Sequence, residues 1–182
     1  VFSLDRFYLP QGTPLFVNII LITFSAGLYF SVPHPTGIFL MIFGGLVLAF
    51  LAEKFVFADA DLKSQIIVGL ILLASAELIS FGSQEFAVEI VVPTLLGFSL
   101  GIIGSRFLLF YLKLSKHCQR GTSQSSFFLA WETGISLGFL LKFGFLSSDS
   151  SSAPYACLGL LIISLGLYNF FVHPWYMKHR NR

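Results

Sequence analysis

Charge is the scarcest property of this chain. Eleven Lys and Arg with nine Asp and Glu make up 11% of its 182 residues, where a soluble domain carries about 25%. A sizeable water-facing domain is excluded. Cysteine is nearly absent as well. Cys118 and Cys157 are the only two, and no Cys/His cluster has metal-ligand spacing. No constellation of nucleophile, base or metal ligands reads as an enzyme, and no cofactor is expected. The net charge of +2 is scattered and offers no nucleic-acid surface. A cleaved signal peptide is also excluded. The first apolar run is flanked by Pro14 and has no basic start close to an apolar core, nor a small-residue cleavage pattern. Val1 in place of Met points to an excised or processed segment.

What the chain does have is hydrocarbon. Apolar residues make up 55% of it, 22 of them Phe, and the mean hydropathy is +0.83. A membrane-spanning helix needs about 20 such residues. Six runs meet that need, with helices expected at 15–32, 36–55, 63–83, 88–112, 122–145 and 153–175. The expected fold is therefore all-α, a polytopic membrane protein whose six-helix domain covers 14–177. An amphipathic lead-in at 1–13 lies on the interface, and a basic tail at 178–182 reaches anionic headgroups. Pro33-His34-Pro35, Gly82-Ser83-Gln84-Glu85 and the polar stretch 147–152 form turns or loops on one side. Arg6, Lys54, Lys63, Lys113, Lys116, Arg120, Lys178, Arg180 and Arg182 gather on the other. By the positive-inside rule that crowded side is cytoplasmic, with both termini on it. Cys118 and Cys157 then sit at opposite faces, too far apart for a disulfide.

Ionisable groups at bilayer depth each need a reason, because insertion scales charge about 2.5–3.5 kcal/mol for them. Glu132 is the deepest. It lies about 15 Å into a helix that starts near Thr122, next to Trp131. A midplane carboxylate beside an aromatic ring can bind a cationic substrate or carry a proton. It can also serve as a structural bond to a neighbouring helix. Glu77, in the third helix, ranks below it as a site residue. Arg106, in the inner third of the fourth helix, can snorkel, hold an anion or pair with a carboxylate. Asn18, Ser25 and Tyr29 recur near helical spacing in the first helix and can line an aqueous cavity. Thr23 and Ser25 can instead bond back to their own helix. Gly97 and Gly101 in the fourth helix, with Gly104 beyond, and Gly134 and Gly138 in the fifth form GxxxG spacings. Such faces let helices approach closely, either as static packing or as surfaces that slide. The string Gly-x-Ser-Leu-Gly occurs in both helices, but two short strings are not a repeat.

Six helices with Ser99 in the fourth and His173 in the sixth resemble rhomboid proteases. Geometry rejects the pair. Their depths differ by about 15 Å at helical rise, whereas a nucleophile and its base must come within about 3 Å.

The stretch from Lys116 to Gly138 reads Lys-His-Cys-Gln-Arg-Gly, a run of small polar residues, then Trp131-Glu132 and spaced glycines. It resembles the loop and eleventh helix of bacterial major facilitator superfamily transporters. Arg120, Gly121, Trp131, Glu132, Gly134 and Gly138 carry the match. The resemblance implies the C-terminal half of such a transporter, a 3+3 inverted repeat in the cell (inner) membrane. Its partners would be the missing N-terminal half, the lipid bilayer and an unknown small-molecule substrate moved by alternating access, with proton coupling through Glu132. It implies Glu132, Trp131, Asn18, Tyr29 and Arg106 as substrate or ion residues. Gly97, Gly101, Gly134, Gly138 and Arg120 would serve packing and gating. It also puts the third and sixth helices against lipid. The loop after the second helix departs from the family: Glu53-Lys54 stands there without an arginine cluster, so the charge lock of that loop does not carry over. The alternative is a stand-alone six-helix protein, a homo-oligomeric channel or membrane subunit.

Overall fold

A computed structural model describes residues 7–81, 86–144 and 153–180. The turn Gly82-Ser83-Gln84-Glu85, the stretch 147–152, Arg6 and Arg182 lie outside the described residues. Every regular element among the described residues is helical. A 3-10 turn at Pro10–Gly12 leads into α1, Thr13–Phe30, with Pro14 in its first turn. There the missing N–H of proline costs nothing. Pro33 and Pro35, which have no N–H to donate, separate α1 from α2, Ile38–Phe55. Then follow α3, Leu62–Ser80, α4, Phe86–Leu114, and α5, Arg120–Gly144. The chain closes with α6, Ala153–Leu167, a π-helical turn at Tyr168–Val172, and α7, His173–His179. Lys178 and His179 thus belong to a helical turn rather than to a free tail. Six spans are long and apolar enough to cross a membrane, the last running from Tyr155 through α7 to His179. This is the architecture of a multi-pass membrane protein.

Apart from α3 and α4, the main neighbours in space are not neighbours in sequence. α1 lies chiefly on α5 and α6, and α4 lies on α2 and α3, with α3 also touching α6. Half of the α1 span is buried, against 17% of α2 and 22% of α5. So α1 and α4 form the middle, and α2 and α5 the outer flanks. The described part of the lead-in, 7–13, touches this packing through Leu9 and Gly12, while Phe7, Pro10 and Gln11 stay exposed. Leu9 is buried, its amide donates to Ser126 Oγ at 2.7 Å, and Tyr111 Oη donates to the Gly12 carbonyl. At the same end, the Phe110 and Tyr176 rings stack 4.2 Å apart and Phe107 meets Tyr168, which joins α4 to the sixth span.

Glycine makes the two flanking contacts possible. A Cβ placed on Gly45 of α2 would strike the Thr94 carbonyl and the Phe98 amide of α4. One placed on Gly138 of α5 would strike the Phe24 carbonyl and the Leu28 amide of α1. In return, Gly97 of α4 sits against the Ile42 carbonyl, and Gly27 of α1 against the Ile135 carbonyl. Phe24, Gly27 and Leu28 therefore stand to Ile135 and Gly138 as Thr94, Gly97 and Phe98 stand to Ile42 and Gly45. Gly134 against Thr23 and Ile20, and Gly101 against Ala49, extend the two contacts. Without side chains in the way, the backbones gain dispersion over a long seam.

Candidate functional site

The expected site residues do not converge. Asn18 is 1% exposed and its Nδ2 donates to the Ser164 carbonyl of α6 at 3.0 Å. α6 packs over that face of α1. Ser25 is likewise buried and donates to the Ile22 carbonyl, while Thr23 donates to Ile19. Both hydroxyls turn back on their own helix. Ser99 does the same, donating to the Leu95 carbonyl. Trp131 lays its ring against Gly104 of α4 and meets Phe127, 5.7 Å between centroids. Arg120 is exposed at the start of α5.

Arg106 makes the ion pair. Its Nη2 lies 3.7 Å from Glu53 Oε2, with both side chains less than a fifth exposed. The hydroxyl of Ser105 donates to the other oxygen of Glu53. An ion pair thus links α2 to α4, its cation coming from α4 and not from the loop. Of the roles open to Arg106 in the sequence, pairing with a carboxylate is the one seen.

Glu132 is exposed, and among the described residues it makes no hydrogen bond or ion pair. It lies twelve residues into α5, about 18 Å from the start of the helix. Gln124, Phe128, Glu132, Ser136 and Leu140 follow one another at i+4 steps, and all are exposed. They form one ridge, half of it polar, along the outer face of a span.

A second polar cluster lies at the end of the bundle away from α7. A cavity of about 600 Å³ opens there, lined by Tyr29, His34, Met41, Ser80, Glu89 and Pro93 among others. The His34 ring stacks on Tyr29 at 4.5 Å and bonds to its carbonyl. Pro93 leaves the Glu89 carbonyl without its helical donor. One turn down from the cavity sits Glu77, only 4% exposed, with Oε1 unpartnered. Glu77 is on the covered face of α3, which packs on both α4 and α6, while Ile71, Leu78 and Ile79 of the same helix are exposed. A signal was there to be read. Ile66, Leu70, Leu73 and Glu77 form one helical stripe, and all four are buried. Cys157 reaches the same level from α6, donating to the Ser25 carbonyl at 3.6 Å. Cys118 is exposed, and both thiols are free. No family model, no curated protein and no solved structure matches the chain.

Proposed function

We propose that this chain is the C-terminal half of a secondary active transporter that moves a small molecule across the cell (inner) membrane by alternating access with a missing N-terminal half. The duplicated glycine seam carries the reading. Exchanging α1 with α4, α2 with α5 and α3 with α6 turns each principal helix pairing into another one that is present. Three helices followed by three of opposite direction, packed through matching contacts, are what an inverted repeat predicts. Transporters of this kind use such repeats to build two equivalent arrangements about one central site.

The ridge on α5 supports the same reading. An exposed carboxylate at mid-bilayer depth is unstable against lipid. Facing a second half across a hydrated path, Glu132 has a role as proton carrier or as counter-ion to a cationic substrate. The clustered lysines and arginines support a cytoplasmic location for both termini. The Glu53–Arg106 pair ties α2 to α4 at the crowded end, where it would hold one of the alternating states.

Glu132→Gln in the full protein tests this reading. Proton-driven transport in sealed vesicles should fall by about tenfold or more, a barrier change of at least about 1.4 kcal/mol, at an unchanged protein level. Full proton-driven transport by the variant would remove Glu132 from the mechanism. An antibody to the tail 177–182 tests the half-transporter itself. A native band about twice 20.2 kDa is expected. A band near 20.2 kDa would favour the homo-oligomeric channel.

A further inference from the structure

Glu77 takes no part in the proposed path along α5, and its surroundings are unlike those of Glu132. It is buried among α1, α3 and α6, its Oε1 accepts no hydrogen bond, and no cation pairs with it among the described residues. Among the described residues, titratable groups reach this level from several elements. Tyr29 comes from α1, and Cys157 from α6, both within electrostatic reach of the carboxylate. His34 and Glu89 line the cavity above, from the α1–α2 connection and from α4. None is a lysine or arginine. The Cys157 thiol is directed to the Ser25 carbonyl instead.

An ionised carboxylate in this setting has lost its hydration and has nothing to replace it. A proton is the ligand that restores balance, because the neutral acid has only one hydroxyl to place. A metal cation would need several oxygen ligands, and no group of three His, Cys, Asp or Glu among the described residues offers them. Access is built in from one side. Tyr29 lines the cavity and lies within electrostatic reach of Glu77, and Ser80, which also lines it, is one turn further along α3, its Oγ donating to the Glu77 main-chain carbonyl at 2.6 Å. The opposite end of α3 is closed by Gln65, which is buried and whose Nε2 bonds the Phe57 and Ala60 carbonyls.

We propose that Glu77 is a proton-binding site that exchanges with the compartment at the cavity end of the bundle, past Tyr29 and Ser80. Its carboxylate takes one proton from a hydronium ion there, leaving a water molecule, and returns it to water by the same route. The site stands whether or not α5 serves transport.

The test uses the native chain in sealed vesicles of known orientation and dicyclohexylcarbodiimide, which adds to protonated carboxyls in apolar surroundings. Peptide mass spectrometry reads the adduct. Labelling of Glu77 should fall about tenfold or more when the pH on the cavity side alone is raised from about 5 to about 9, the range over which buried carboxyls titrate. Raising the pH only on the side of the termini should leave it unchanged. Tyr29→Phe should slow the response without moving its end points. No adduct on Glu77 at the acid end overturns the proposal, as does labelling indifferent to pH on the cavity side. Suppression of labelling by sodium but not by choline at fixed pH also overturns it, by making Glu77 a metal-cation ligand. Because the readout is the adduct and not transport, a failure here leaves the transporter reading standing, and the converse holds too.

Discussion

α2 and α5 are packed alike and face outward differently. Each crosses its neighbour through a glycine lodged between a carbonyl and an amide one turn apart, and each leaves most of its surface uncovered. Beyond the seam the likeness ends. The open face of α2 carries Phe39, Phe43, Val47 and Phe50. That of α5 carries Gln124, Glu132 and Ser136. Backbone contact and outward chemistry are therefore set by separate residues on the same helix. The seam fixes how the six helices pack, and the outer ridge fixes what they meet. An all-apolar ridge suits lipid or a dry interface, while a ridge with a carboxylate at mid-depth suits water or a polar partner.

The seam itself offers the largest effect. Gly45→Leu and Gly138→Leu should each destabilise the bundle by about 3 kcal/mol or more, since the added groups meet backbone that cannot move aside. Gly44→Leu, where a Cβ meets nothing within 4 Å, should change little. Thermal unfolding followed by size-exclusion chromatography in detergent measures all three. Loss in one seam variant and tolerance in the other would break the equivalence of the two crossings.

Next comes a charge moved from one ridge to the other. Val47 lies at the centre of α2 on its open face, as Glu132 lies at the centre of α5. Val47→Glu should lower membrane insertion by about 2.5–3.5 kcal/mol, the cost of a charge at depth. Glu132→Leu should insert at least as well as the parent. Glycosylation-mapped insertion in microsomes reads both. Equal tolerance at the two positions would mean that both ridges face water.

The smallest effect lies beneath the α2 seam. Glu53→Gln removes the charge opposite Arg106 but keeps an acceptor for Ser105. With both partners partly exposed, the loss should be about 1 kcal/mol or less. Exchange of the pair, Glu53→Arg with Arg106→Glu, should recover part of it. A larger loss would show that the pair does more than hold two helices together.

Most of the architecture was legible because hydropathy and charge sorting are carried by many residues at once. Six spans and their short connections could be read from run lengths alone. Helix ends were read less well where no residue punctuates them. α4 runs from Phe86 to Leu114 and α5 from Arg120 to Gly144, both starting before the apolar pattern does. The site was harder, since burial at a polar residue depends on which helix covers it. Asn18 and Tyr29 share a face by spacing, yet α6 closes over one and a cavity opens beside the other. The correspondence of the two glycine crossings was hidden in the strings for a related reason. The matching strings in α4 and α5 draw the eye to Gly97 and Gly134, but packing matches Gly97 with Gly27 and Gly138 with Gly45. A crossing held by backbone proximity asks only for smallness at a few positions, so little else in the sequence needs to agree.

The interleaved pairing also bears on how the protein is made. Of the six spans, α1 leaves the ribosome well before its main neighbours α5 and α6. Until they arrive, Asn18 waits in the bilayer without the Ser164 carbonyl, and Gly27 without the backbone of α5. The first three helices thus have no finished interface of their own to settle on, and α4 completes only the one with α2 and α3. The α1 side of the bundle is therefore completed only after α5 and α6 have emerged. A chain stopped after α4 holds α1 as an unclaimed helix, a ready target for the quality-control machinery of the membrane.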